Sequence, residues 1–397
     1  MKKPKHISTS RRKFINNGLK AAALIPLSSL SLQAFGKPEN QSAAISLHNT
    51  TRPLKILILG GTSFLGPHQI AYALKRGHSI TTFTRGKTKP GIYKDLIDNI
   101  EQLVGDREDN LEALKGRKWD AVIDNSGRKA KWTKATAELL KNNVSTYVYT
   151  SSVSVYYPYH KANLVENAPL VLKVPKNLTD EDEKYTYDYG VMKANSEIEA
   201  IHAFGPDRTI VVRPTFMMGP ADRTNRFLYW PTRLAKGGDI IIPGKKEDPV
   251  QFIDVRDIAE WMIRLIENKT AGTFNGVGPS SYMSIPAFAY GVHAAFSSKA
   301  NFIRINDYDF LNTHKLTFQA PWVMDMENYH GMSRVNNVAS INNGLTFRPL
   351  SKSIIDTHDW WYSDAVNEKR RTEFESDKNE LHNRQKEIIK KWKEYIK

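Results

Sequence analysis

Leu54-Lys55-Ile56-Leu57-Ile58-Leu59-Gly60-Gly61-Thr62-Ser63-Phe64-Leu65-Gly66 is a short apolar run that stops abruptly in glycines. A run of this length reads as a strand buried on both faces of a parallel sheet. Ile70, Ala73 and Leu74 follow at helical spacing, Gly77 marks a stop, and residues 79–84 are rich in strand formers. Strand, glycine turn, helix and strand form a unit in which backbone N–H groups at the helix start can approach a pyrophosphate. Outward from it, strand-like segments recur at 100–104, 121–124, 146–150 and 209–212, with helical stretches between them. This alternation predicts an α/β chain built on a doubly wound parallel sheet.

A second stretch carries chemistry. Tyr189-Gly190-Val191-Met192-Lys193 places a phenol and an ammonium four residues apart, on one face of a helix. Tyr185 and Tyr187 lack a lysine at that spacing. Upstream, Thr150-Ser151-Ser152-Val153-Ser154-Val155-Tyr156 closes the fifth strand with three serines. A free tyrosine ionises near pH 10, and a nearby cation favours the phenolate, so such a pair can exchange a proton with a substrate hydroxyl. A serine hydroxyl on the same oxygen would steady its developing charge. Ser151, Ser152 and Ser154 compete for that role.

The spacing Gly60-x-x-Ser63-x-x-Gly66 resembles the Gly-x-x-Gly-x-x-Gly turn of the extended and atypical short-chain dehydrogenases/reductases, the NAD-dependent epimerase/dehydratase family, with Ser63 in the middle glycine's place. Arg213-Pro214, Gly219-Pro220, the stretch 251–257 and Thr273-Phe274-Asn275-Gly276-Val277-Gly278 resemble its later landmarks, so the likeness spans most of 54–350. The resemblance implies a Rossmann-type doubly wound sheet with a smaller C-terminal substrate lobe, 54–215 being mainly the former and 216–350 mainly the latter. It also implies a catalytic Ser152, three residues before Val155-Tyr156, acting with Tyr189 and Lys193. Gly60, Thr62, Ser63, Phe64, Leu65, Gly66, Asp106, Asn125 and Ser126 would bind the cofactor, and Lys193 its ribose. Arg85 ends the second strand, where arginine can accept a 2′-phosphate, so NADP is favoured over NAD. Ser154, Asp222, Arg223, Asn225, Arg226, Tyr229, Trp230 and Gln251 are the candidate substrate contacts.

The N-terminus reads differently. Ser10-Arg11-Arg12-Lys13-Phe14-Ile15 precedes a weakly apolar run from Ala21 to Leu32, which resembles a twin-arginine export signal. Interrupted by Pro26 and serines, that run is short of the roughly 18 residues a spanning helix needs, so no permanent membrane anchor is expected. The expected organisation is a signal at 1–36, a tether at 37–53, the main domain at 54–350 and a C-terminal helical extension at 351–397. The extension should include a charged helix from 372 to 395, with Leu381, Ile388, Ile389 and Trp392 packing on the body or on a second copy in a homodimer. The implied partners are the twin-arginine export machinery and a small-molecule substrate, and the implied location is the periplasm.

Composition narrows the function classes. The chain has 397 residues, 40% of them hydrophobic, and no cysteine, which excludes disulfides, thiolate nucleophiles and cysteine metal sites. The net charge of +15 is concentrated: residues 1–40 hold eight lysines and arginines against Glu39 alone, leaving the body mildly basic. A nucleic-acid partner is therefore not expected. The 11 histidines form no His-x-x-x-His pair, and no Gly-x-Ser-x-Gly elbow occurs, so metal hydrolase and serine hydrolase readings lack support. The expected function is an NAD(P)-dependent epimerase or dehydratase acting on a sugar or related carbinol. Export implies a tightly bound, internally recycled cofactor, because reduced nicotinamide has no assured supply outside the cytoplasm. The alternatives are an exchanging reductase or dehydrogenase and, from the likeness of 60–66 and 83–87 to chloroplast stem-loop RNA-binding proteins, an RNA binder of the same fold.

Overall fold

The computed structural model describes residues 52–397, so the expected export signal and nearly all of the expected tether lie outside the described residues. Strands β1 (Lys55–Leu59), β2 (Ser79–Thr84), β3 (Glu101–Val104), β4 (Trp119–Asp124), β5 (Val144–Thr150) and β6 (Thr209–Pro214) fall where the apolar segments placed them. With a later strand from Gly272 to Gly276 they form one seven-stranded parallel sheet, in which β6-β5-β4-β1-β2-β3 run side by side and the late strand flanks β6. Chain order reverses between β1 and β4, which opens a crevice beyond their C-terminal ends.

Alternation within β1 explains its uninterrupted hydrophobicity. Ile56 and Ile58 face one layer, with α1 (Leu65–Lys75), while Leu57 and Leu59 face the other, with α2 (Ala130–Leu140) and α3 (Glu181–Phe204). All four are fully buried, so both sheet faces are core. The 24-residue α3 starts at Asp180, whose carboxylate accepts from the Glu183 N–H at 2.9 Å, and Glu181, Asp182 and Glu183 complement the positive end of its dipole.

The remaining chain builds a second core around α4 (Tyr229–Lys236) and the parallel pair β7 (Gly238–Pro243) and β8 (Ala300–Ile305). Leu381, Ile388, Ile389 and Trp392 are buried in this same core, as their spacing predicted. The expected continuous helix from 372 to 395 is instead two helices, Glu368–Ser376 and Leu381–Tyr395. The break has a local cause: Asp377-Lys378-Asn379-Glu380 offers no apolar residue to bury, and the Asp377 carboxylate captures the Asn379 N–H at 2.8 Å.

His68 ties α1 to the neighbouring lobe, donating from Nε2 to the Pro220 carbonyl at 3.0 Å. Its Nδ1 is buried without a partner, and burial lowers its pKa to about 4. The native state thus holds a neutral ring where the unfolded chain takes a proton. Stability is fully present above about pH 6.5 and falls as pH drops toward 4, by up to ~3 kcal/mol. Urea unfolding across this window should show a shallower pH slope for His68→Gln than for the parent chain; equal slopes would refute the assignment.

Candidate functional site

The site grows from the glycine turn between β1 and α1. Gly60 has a φ of +84°, and a Cβ there would stand 2.8 Å from that of Ser126, in the turn after β4. A Cβ on Gly66 would meet the Gly61 carbonyl oxygen at 2.5 Å. Only glycine lets this turn close on itself and on its neighbour. No side chain caps the start of α1; Gly66 donates to the Ser63 carbonyl at 3.0 Å and Pro67 has no N–H, so of its first three residues the Leu65 N–H is left to an anion. Ser63, exposed on the cleft, adds a hydroxyl where a third glycine would offer bare backbone.

From this turn a cleft of about 740 Å³ runs across the sheet ends. Every residue expected at the cofactor lines it: Gly60, Thr62, Ser63, Phe64, Leu65, Gly66, Arg85, Asp106, Asn125, Ser126 and Lys193. Its size suits a dinucleotide with part of a substrate. Arg85 and Lys87 lie exposed beyond β2 at the rim, and neither pairs with a carboxylate among the described residues. The Asn125 amide is doubly engaged, donating to Gln69 Oε1 and accepting from Thr150 Oγ1, both at 2.7 Å, which joins α1, β4 and β5 beneath the cleft.

Sequence reading missed Arg107. It is buried in the wall of the cleft and binds Asp124 through both terminal nitrogens, one at 2.9 Å, while Tyr147 donates to the same carboxylate at 2.7 Å. Burial alone would raise the Asp124 pKa, but the Arg107 guanidinium outweighs it and holds the carboxyl below the usual range. An arginine in a charged loop after a strand reads as surface; only the fold shows that β3 delivers it under β4.

At the other end, the serines separate. All three border the cleft, but Ser151 is buried with its hydroxyl committed to Glu197, whereas Ser152 and Ser154 are only half-buried. Ser152 caps the short helical turn Val153–Tyr156, its Oγ accepting from the Ser154 N–H at 3.1 Å and donating to the Ser154 hydroxyl at 3.0 Å. Helix α3 comes against this turn because residue 190 is glycine: a Cβ there would lie 2.4 Å from the Ser154 carbonyl oxygen. Tyr189 and Lys193 are thereby brought to the serines. The Tyr189 ring is partly exposed, and the Lys193 ammonium, 5.9 Å from its centroid, is buried and donates to the Thr150 carbonyl at 2.8 Å. Burial acts to lower the Lys193 pKa, but Tyr149, Tyr189 and Asp124 outweigh it and shift it upward, keeping the cation.

The candidate substrate contacts divide. Ser154, Arg223 and Arg226 line the cleft, joined by Tyr185, Phe216, Met217 and Met332, with the Arg226 guanidinium 5.4 Å over Phe216. The others do not reach it. Asp222 is buried, accepting from the Thr224 N–H and hydroxyl at 2.9 and 2.8 Å. Asn225 accepts from Arg370 outside the cleft. Tyr229 and Trp230 lie in the second core, their polar ends on Gln385 and the Ala320 carbonyl. The Gln251 amide pairs with both backbone groups of Val335 at 2.9 Å, as a strand partner would. In each, a polar group serves packing, which spacing alone cannot distinguish from recognition.

Comparison with known proteins agrees with this fold. Residues 56–277, more than half of the chain, match the model of the NAD dependent epimerase/dehydratase family. A curated relative, the Arabidopsis thaliana chloroplast stem-loop binding protein of 41 kDa b, is 27% identical over 229 residues, covering 55% of this chain and 56% of its own length. The chain thus spans little more than half of that relative. Among solved structures, UDP-glucuronic acid 4-epimerase from Bacillus cereus in complex with NAD superposes with a TM-score of 0.56 at 16% identity, covering 79% of this chain and 100% of its own. Human epimerase family protein SDR39U1 with NADPH gives 0.52 at 20%, covering 77% and 99%. At these identities the two structures speak for the fold. The matched family model, which takes in the glycine turn, the serine turn and the tyrosine-lysine helix, establishes that the chain belongs to the NAD-dependent epimerase/dehydratase family.

Proposed function

We propose that the protein is an NAD(P)-dependent epimerase or dehydratase that acts on a carbinol of a sugar or glycoside and keeps its cofactor bound through each cycle. The observation that carries this reading is the tyrosine-lysine pair on α3 facing the serine turn, at the opposite end of one cleft from the glycine turn. The glycine cradle and the uncapped start of α1 fit a pyrophosphate, and Arg85 with Lys87 fits a 2′-phosphate, which favours NADP. Bound there, a nicotinamide supplies reversible hydride exchange with the carbinol carbon. Tyr189 takes the proton of the substrate hydroxyl and later returns it. The Lys193 cation, fixed on the Thr150 carbonyl, favours negative charge on the phenol oxygen in the interval. Ser152 turns its hydroxyl from the Ser154 oxygen to donate a hydrogen bond to the substrate oxygen as its charge changes. Tyr185, Arg223 and Arg226 face the substrate end of the cleft.

Export through the twin-arginine route, read from residues 1–36, supports a retained cofactor, because that route carries folded, loaded proteins to the periplasm. Among the described residues no helix is long and apolar enough to cross a membrane. The mature chain, purified without added nucleotide and then denatured, should release near-stoichiometric NADP detectable by mass spectrometry. Release of NAD would overturn the reading of Arg85 alone. An empty site would favour the exchanging reductase, or a fold reused for binding.

A further inference from the structure

The C-terminal helices touch the cleft from outside. Trp360 and Trp361, near the end of the helix Leu350–Tyr362, form a buried cluster with Val366, Phe374, Ala221 and Leu228. Two residues of the cofactor half pack against it: Phe64, in the glycine turn, and Ile92, in the loop that carries Arg85 and Lys87. Arg370, on the helix Glu368–Ser376, completes the arrangement. Its guanidinium lies 5.3 and 5.4 Å from the two indole rings and donates to the Asp222 carbonyl at 2.6 Å and to the Asn225 side chain. Asp222 and Asn225 bracket Arg223 and Thr224, which line the cleft. Arg371 fixes the preceding turn by donating to the carbonyls of Trp361, Ser363 and Val366.

One small unit therefore joins the phosphate turn, the ribose-side loop and the substrate-side loop, each from a different part of the sequence. The helix that carries Arg370 reads Glu-Lys-Arg-Arg-Thr-Glu-Phe-Glu-Ser and buries only Phe374, so general hydrophobic packing does not explain its place. A nucleotide spanning these loops leaves only if at least one of them moves, and movement of any pulls on the shared cluster.

We infer that residues 360–374 clamp the three loops around the nucleotide, with Arg370 as the positioning residue that slows its release. The inference rests on the proposed nicotinamide site and adds the device that retains the cofactor. It assigns to the extension a kinetic role toward the cofactor, reached through Phe64, Ile92 and the 221–228 loop.

The test uses the full mature chain loaded with NADPH, chased with excess NADP⁺ while nicotinamide fluorescence is followed. Arg370→Ala should release NADPH at least about tenfold faster, since loss of a charged hydrogen-bonding partner acts chiefly on the off-rate. Arg370→Lys, which keeps the cation without the fork, should fall between. The melting temperature of the nucleotide-free variants should stay close to that of the parent, which separates loss of the clamp from general destabilisation. Asn225→Gly removes one of the two acceptors of Arg370, suits the φ of +59° at this position and leaves the indole cluster intact, and it decides the matter if Arg370→Ala does not fold. Unchanged release in folded variants overturns the clamp and leaves the proposed function standing. A parent chain that binds neither NADPH nor NADH overturns both.

Discussion

Tyr189→Phe should retain its nucleotide and lose turnover by roughly 10²–10⁴-fold, the usual contribution of a positioned proton donor and acceptor. The substitution removes one oxygen from a side chain that is 38% exposed and has no hydrogen bond to the described fold, so stability should hardly change. Lys193 would keep its bond to the Thr150 carbonyl, and the glycine turn would be untouched. Binding and chemistry should therefore separate: mass spectrometry finds the same bound nucleotide, while substrate conversion collapses. A variant that converts substrate at the parent rate would remove Tyr189 from the mechanism.

Glu197→Leu should cost ~3–5 kcal/mol of folding stability, the range seen when one partner of a buried ion pair is deleted. Glu197 holds Arg213 through both carboxylate oxygens, at 2.9 and 2.6 Å, and also binds the Ser151 hydroxyl. Without it, the buried Arg213 guanidinium keeps only the Tyr156 hydroxyl and the Glu166 carbonyl, at 2.7 and 2.8 Å, with no counter-charge. Urea unfolding of the single variant, beside the double variant Glu197→Leu with Arg213→Met, checks the cause. The double variant should recover much of the loss, because removing both charges leaves neither uncompensated. A double variant as unstable as the single one would assign the loss to cavity or packing effects.

The sheet was legible because its strands, buried on both faces, read as plain apolar runs between glycine turns and helical spacing. The tyrosine-lysine pair was legible for a similar reason: a spacing of four on a helix is geometry written into sequence. What escaped was polar chemistry whose meaning depends on depth. Between Arg107 and Asp124 lie a loop with one short helical turn, Glu112–Leu114, and the strand that Asp124 ends, and nothing local distinguishes a buried pair from two surface charges. The choice among Ser151, Ser152 and Ser154 rested on resemblance alone, while in the fold Glu197, one turn beyond Lys193, draws Ser151 inward. Tyr229, Trp230 and Gln251 carry polar groups suited to recognition, yet their partners come from 320, 335 and 385, far along the chain. The split of the last helix was visible in Asp377-Lys378-Asn379-Glu380, but the heptad-like spacing beyond it drew the reading across the break.

Tyr189, Lys193 and Glu197 occupy successive turns of α3, and their exposure falls from 38% to 7% to 2%. One face of the helix thus passes from wet to dry within about 12 Å. In the proposed reaction, a proton handled by the phenol reaches solvent through the mouth of the cleft, whereas the cation beside it is almost fully buried in the cleft wall. Added salt should accordingly weaken the attraction of a charged substrate to the rim arginines, yet leave the electrostatic coupling between Lys193 and the phenol almost unscreened.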